Sequence, residues 1–422
     1  MTDLQYLSDS WLGQTPASWQ VLPAKALFSN PVEKSQSDDT HLTPSQKFGV
    51  IPQSEYMEIT GNRVVLNLSG SDNMRHVEPG DFVSHLRSFQ GGLEYSPFRG
   101  KVSSAYTVLR PKKELEPRFY KYLFKSSRYI QGLSTTTEQM RDGQSIRYEQ
   151  FALLPLPYPN LAEQRQIADF LDHELQSIDR LIKSKSELLI RLQDWYDAYL
   201  CELVTEGLTK DASYKPTNFE WCTKKPAHWS EVPFFTLGFE VSLKNHGSQV
   251  DNLLSLSYGE IVEKDINTNE GLLPESFDTY QIIEPGDIVF RFTDLQNDKK
   301  SLRSAISRHK GIITSAYLAF RVTGCSPDFL ALQMRAWDLM KVFYAMGSGL
   351  RQSLKFSDVK RMPVLLPPLE EQAEIVKALQ KRHSKIKELK GRTEIAIEIL
   401  KERRSTLISA AVTGKMDIQG KN

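Results

Sequence analysis

The chain has 422 residues, 40% hydrophobic and 25% charged, with 53 Lys/Arg against 52 Asp/Glu for a net charge of +1. That length exceeds what a single core usually fills, which predicts at least two folded units. No apolar run reaches the roughly eighteen residues of a membrane span. The opening MTDLQYLSDSW has neither the basic nor the apolar region of a signal peptide, and three cysteines without a C-x-x-C pair predict reduced, structural thiols, so a cytoplasmic protein with no membrane partner is expected.

In chain order, Trp11-x4-Pro16-x2-Trp19 comes first, followed by Glu78-Pro79-Gly80-Asp81, a Pro-Gly turn that should launch the strand DFVSHL. Ser104-Ala105-Tyr106 opens a second strand-like run, SAYTVL, and Pro117 suits the first position of a helix PRFYKYLFKSSRYI. A proline-rich run then breaks into a long helix, with Asn160 as cap and Glu163 three residues later in the capping-box position.

The chain then starts over. Trp221-x4-Pro226-x2-Trp229 repeats the opening at an offset of 210, Glu284-Pro285-Gly286-Asp287 the turn at 206, and Ser315-Ala316-Tyr317 the second strand at 211. Pro327 of PDFLALQMRAWDLMKVFYAM matches Pro117 at 210, and Glu371-Gln372 matches Glu163-Gln164 at 208. Matches in the same order, with offsets that drift only between landmarks, mark a duplicated unit whose insertions and deletions lie in loops. Each copy reads as a mixed α+β globule followed by a long helix.

In the first helix, Leu171, Ile178, Lys185, Leu192 and Tyr199 recur every seven residues, and Leu175, Ile182, Leu189, Tyr196 and Leu203 fill the four-residue step: a heptad seam with one polar break. The second helix, about Leu369 to Val412, carries Leu379, Ile386, Thr393, Leu400 and Leu407, but its other seam mixes His383, Lys390 and Arg404 with Ile397 and Ala411, and Gly391 weakens the case for an unbroken helix. About 47 residues at 1.5 Å each span roughly 70 Å, longer than a small domain is wide. Such helices need a partner, and an antiparallel pair with a globule at each end, related by an approximate two-fold axis, is the expected arrangement.

No phosphate loop, dinucleotide fingerprint, zinc-protease motif or nucleophile elbow occurs, and the Asn/Asp-Pro-Pro-Tyr signature of amino-methylating enzymes is missing. Asp287 with Asp298 and Lys300 resembles the acidic pair plus lysine of magnesium-dependent nucleases, but the first copy lacks it and a solvated loop is the better reading. Charge is more informative: residues 87–147 hold twelve Lys/Arg against five Asp/Glu and residues 291–361 thirteen against five, so each copy concentrates positive charge in its second half. That recurrence points to a phosphate-facing surface, with Arg87, Arg99, Lys101, Arg141, Gln144 and Arg147 in the first copy and Arg291, Lys299, Lys300, Arg303, Arg351, Gln352 and Lys355 in the second as candidate DNA contacts. Arg can pair with guanine and Gln with adenine in the major groove. The helix seam would comprise Leu171, Leu175, Ile178, Ile182, Leu189, Leu192 and Tyr196 against Leu379, Ile386, Ile397, Leu400 and Leu407.

The helix starts PPLEEQAEIVKAL and PNLAEQRQIADFLD, the endings LISAAVTGK and CELVTEG, and the openings PASW and PAHW together resemble the specificity subunit of type I restriction-modification enzymes across nearly the whole chain. The resemblance implies target-recognition domains at 1–159 and 207–367, conserved spacer helices at 160–206 and 368–414, and a tail at 415–422. It implies a non-catalytic subunit in which each domain reads one half of a bipartite, asymmetric site on double-stranded DNA. The helices would hold the domains apart and dock two modification (methyltransferase) subunits, with restriction subunits joining them. S-adenosylmethionine, ATP and magnesium would belong to those partners and no cofactor to this chain. The competing readings are a coiled-coil scaffold that binds only protein and, behind it, the magnesium-dependent nuclease.

Overall fold

The structure is a computed structural model that describes residues 4–6, 11–62, 74–85, 92–135, 146–209, 212–265, 276–295, 302–346 and 353–418. It mixes helix and strand and divides into two compact units: Met1–Ser186 with Ile395–Asn422, and Glu187–Glu394. The helices Leu161–Glu206 and Leu369–Val412 each give one segment to each unit.

In the first unit a four-stranded antiparallel sheet runs in the order Phe28–Ser29, Val108–Pro111, Phe82–Val83, Glu94–Tyr95. Helix Pro117–Lys125 is strongly amphipathic and buries Phe119, Tyr120, Leu123 and Phe124, and Phe28 lies at the centre, its ring 5.3–5.8 Å from those of Phe82, Tyr120, Phe124 and Phe151. The second unit repeats the order with Gly238–Glu240, Leu318–Val322, Ile288–Phe290 and Ser304–Ile306. Beside it lies another four-stranded sheet, Glu260–Lys264, Leu253–Ser257, Gly311–Ile313, Gln281–Ile283. Among the described residues the first unit has two-stranded pairs in that region, Leu42–Ser45 with Gly49–Pro52 and Arg75–Val77 with Gly100–Val102.

The repeated Glu-Pro-Gly-Asp turn is the same clasp in both units. The Glu78 and Glu284 amides donate to the Asp81 and Asp287 carboxylates, both at 2.8 Å, and Gly80 and Gly286 sit at φ 100° and 96°, which a side chain would strain. Each buried Asp is held by a forked arginine, Arg110 on Asp81 and Arg321 on Asp287. This carboxylate-guanidinium pair commits Asp287 to the fold, which removes one member of the nuclease constellation; Asp298 and Lys300 lie outside the described residues. No cluster of His, Cys, Asp and Glu suited to a metal occurs among the described residues.

The Glu-Gln pair at the start of each long helix has two separate tasks. Trp19 Nε1 donates to Glu163 (2.7 Å) and Trp229 Nε1 to Glu371 (3.0 Å). The buried Gln164 accepts from the Glu116 amide and donates to the Pro159 carbonyl, while Gln372 does the same with Ser326 and Pro367, at 2.9 and 2.8 Å in both cases. One glutamine side chain thus ties the proline lead-in to the helix that begins at Pro117 or Pro327. Asn160 caps the first helix as expected (2.9 Å), but Glu163 serves Trp19 rather than closing the capping box. The helix ends match as well: a Cβ on Gly207 (φ 78°) would come within 3.2 Å of the Trp229 ring, and one on Gly414 (φ 70°) within 3.2 Å of the Trp19 ring.

Three expectations are corrected. Ser104-Ala105-Tyr106 and Ser315-Ala316-Tyr317 lie in turns, and the strands begin after them at Val108 and Leu318. The two helices that open on proline are each split, the first at Ser126, whose extended backbone and side chain cap Ser127–Ser134, the second at Lys341, whose φ of 63° is left-handed. Gly391, by contrast, leaves the second long helix unbroken, since its missing side chain faces open space.

Within each unit the helix segments run antiparallel. In the first, Ile167, Leu171, Leu175 and Ile178 share a core with Ile408, Ala411 and Val412, with Ile182, Leu400 and Leu407 packed at its edge, and Arg404 pairs with Asp179 at 2.9 Å. In the second, Leu200, Leu203 and Val204 meet Ile375, Val376 and Leu379, Tyr196 lies against His383, and Lys390 donates to Gln193. Leu189 and Leu192 are half-buried, and Ile386 and Ile397 are buried. The polar seam positions Lys390, Arg404 and His383 are therefore cross-helix contacts.

Candidate nucleic-acid interface

Burial divides the basic residues nominated from sequence. Arg303 is fully buried; its guanidinium donates to the Thr293 (2.9 Å) and Asp294 (3.3 Å) carbonyls and its amide to Asp338. It is a core residue closing the loop after Ile288–Phe290 and is withdrawn as a DNA contact, because counting charges cannot tell a surface guanidinium from one that satisfies buried carbonyls. Arg99 is exposed but forked onto Asp38 (3.0 Å) and Gln36 (2.5 Å), so reaching a phosphate would cost it an ion pair. Lys101 and Arg291 are half-buried on or beside strands.

Arg147 and Lys355 are exposed and correspond at an offset of 208. Each precedes a short helix, Tyr148–Ala152 or Phe356–Val359, and its amide is held by the side chain three residues on, Gln150 at 3.1 Å or Asp358 at 2.8 Å. Each helix leads into a strand, Pro155–Tyr158 or Pro363–Leu366, that pairs with Gln20–Pro23 or Ser230–Pro233 and then enters a long helix. A cation therefore stands at the same place in both units, arginine in one and lysine in the other. Arg87, Arg141, Gln144, Lys299, Lys300, Arg351 and Gln352 lie outside the described residues.

Sequence reading passed over two hairpin tips. Phe48 and Tyr258 each precede a left-handed glycine, Gly49 (φ 73°) and Gly259 (φ 79°), in the hairpins Leu42–Ser45/Gly49–Pro52 and Leu253–Ser257/Glu260–Lys264. The available signal was the aromatic-glycine dipeptide between apolar runs. Burial pushes the Cys201 thiol up to about 11 and the Cys325 thiol up to about 12, and it raises that of Cys222, which suits structural rather than nucleophilic cysteines.

Comparison with known proteins returns the class suggested by the motifs. Residues 45–190 match the family described as type I restriction modification DNA specificity domain. The EcoKI specificity subunit of Escherichia coli (strain K12) is 24% identical over 351 residues, 77% of this chain and 71% of that protein. A putative specificity subunit, MjaX of Methanocaldococcus jannaschii, is 21% identical over 97% of this chain and 96% of its own. Among solved structures, one described as showing complex assembly and conformational transition of the type I R-M system aligns with a TM-score of 0.70 at 14% identity, covering 95% of this chain and 99% of that one. The HsdS subunit of Thermoanaerobacter tengcongensis aligns at 0.52 and 14%, covering 95% and 98%. The class to which these likenesses point is the DNA specificity domain: residues 45–190 match its family, and the fold over 95% of the chain is that of solved type I specificity subunits. More particularly, the chain is similar to specificity subunits of type I restriction-modification systems in sequence and in fold, and neither the scaffold nor the nuclease reading is favoured.

Proposed function

We propose that each unit reads one half of a bipartite, asymmetric site on double-stranded DNA, and that the long helices form an antiparallel, pseudo-two-fold spacer that fixes the gap and docks two modification subunits. The domains are those expected from sequence: recognition domains at 1–159 and 207–367, spacer helices at 160–206 and 368–414, and a tail at 415–422. The observation that carries this reading is a shared frame under different surfaces. Strand order, clasp and glutamine tie recur, whereas hairpin tips and basic segments differ. A frame kept twice under two surfaces suits two different half-sequences.

S-adenosylmethionine, ATP and magnesium would be held by modification and restriction subunits, with this chain working beside them in the cytoplasm. Apolar side chains left exposed along the helices, among them Leu188, Ile190, Leu389 and Ile395, support docking there. No helix among the described residues is long and apolar enough to cross a membrane.

Co-purification with the methyltransferase encoded next to it, followed by genome-wide mapping of methylated adenines, tests the reading. Two unlike half-sequences around an unread gap are expected; a perfect palindrome would overturn it. In the same assay Arg351→Ala should cost about 1–3 kcal/mol at the second half-site and leave the first half-site's preference intact.

A further inference from the structure

The hairpin tip of the second unit carries a feature that local physics does not explain. Tyr258 is 95% exposed and sits at φ 48°, with Gly259 at φ 79° completing a two-residue turn. Positive φ at both central positions is the type I′ pattern, which favours Asn-Gly; a tyrosine there bears left-handed strain with no packing to offset it. The turn is braced from beneath by Arg335 of helix Pro327–Leu339, which donates to the Gly259 carbonyl at 2.6 Å and to the Ser304 carbonyl at 2.5 Å. A Cβ on Gly259 would meet that guanidinium at 2.5 Å, so turn and brace are fitted to one another.

The corresponding tip in the first unit is different. Phe48 is half-buried against Tyr56, 6.4 Å between ring centres, and Lys47 lies over its face at 5.0 Å. Strain at an exposed, aromatic, rigidly mounted position is what a contact site retains and a merely folded turn sheds. We propose that Tyr258 is a docking residue for the modification subunit. Its ring would enter an apolar pocket, with the tyrosine hydroxyl and the acidic hairpin facing a cationic rim. The charge around it favours a protein surface over nucleic acid: residues 251–265 carry Asp251, Glu260, Glu263 and Asp265 against Lys264, all exposed, and adding Arg335 beneath the turn still leaves the hairpin net acidic, while Lys310 beside it is paired with Glu284. This inference rests on the reading of the chain as a subunit that assembles with modification subunits.

Tyr258→Asn separates fold from docking. The variant should melt at the same temperature or higher, because asparagine tolerates the left-handed backbone, while affinity of the full chain for the purified neighbouring methyltransferase falls at least about tenfold. Tyr258→Phe should hold affinity within about threefold, and Tyr258→Ala should lose it as Asn does while remaining folded. Unchanged affinity in a folded Tyr258→Asn chain overturns the inference. So does loss of DNA binding with assembly intact, which would place the tip on nucleic acid. If the wild-type chain itself does not bind the methyltransferase, the assembly reading fails first, and this inference with it.

Discussion

The first unit steadies its peripheral strands with buried charge, and the second does so with apolar strands. In the first, His76 on strand Arg75–Val77 is buried between Asp39 and Glu78, 2.7 Å from each, and Arg99 reaches Asp38 beside them. At the matching place in the second unit, offset by 206, stands Ile282, packed with Leu253 and Ile312 in a four-stranded sheet. The helix residues that brace the next layer differ in the same way. Lys125 ends on the buried carboxylate of Glu94, whereas Arg335, offset by 210, ends on two backbone carbonyls. The frame is duplicated while its outer layer is not, so variants should behave alike where they strike the frame and differently where they strike that layer.

The largest effect should come from the tryptophans that bind each long helix to its globule. Trp19→Ala and Trp229→Ala should each cost about 3–5 kcal/mol, since a nearly buried indole leaves a cavity and strands a glutamate. Denaturant unfolding followed by site-specific hydrogen exchange should show the loss confined to the unit struck and similar in both. Very unequal losses would mean the two copies of the frame are not energetically alike.

Next in size are the glutamine ties. Gln164→Leu and Gln372→Leu keep the volume but leave a buried amide and carbonyl without partners, at about 1–3 kcal/mol each. Faster exchange at the Glu116 or Ser326 amide, in the matching unit only, is the expected signature.

The pH response should distinguish the units. Burial opposes protonation of His76, but hydrogen bonds to Glu78 and Asp39 outweigh it and hold its pKa above 6.5. A raised folded-state value stabilises fully below the unfolded value near 6.5 and is lost as pH rises through the folded one. The stability that His76 lends the first unit should therefore fade as pH rises above about 6.5, opposed in the same unit by His41, which burial and Lys101 hold below its ordinary value, and His76→Ile should remove that fading. Amide exchange in the two units across that range is the measurement.

How much of this could be read from the sequence depended on whether a residue's role is periodic or relational. The repeated turns and the extent of the long helices are legible because spacing fixes which residues share a face, and the helices run over about the residues expected. That Glu163 serves Trp19, 144 residues earlier, is not, because a capping box satisfies the same local pattern. The place of Arg303 is not legible for a related reason: charge density registers a guanidinium wherever it goes, and only the fold shows that its donors face carbonyls. Tyr258 escaped because an exposed aromatic has no period at all.

The smallest effect concerns the shared cations. Arg147 and Lys355 are exposed and stand at equivalent places, and because position recurs while residue type does not, we propose that they contact phosphate rather than bases. Arg147→Ala or Lys355→Ala should weaken binding by a similar factor on every DNA sequence, and each should reduce the slope of log affinity against log salt by about 0.9, one phosphate's worth. Because each charge belongs to a different unit, the double variant should lower the slope by about twice as much. Exchanging the residue types, Arg147→Lys with Lys355→Arg, should leave slope and half-site preference unchanged, since a phosphate contact needs charge at that place and not a particular fork. A change in the preferred sequence of one half-site would show that the residue reads a base, and the two units would then differ even in the element that the frame places identically.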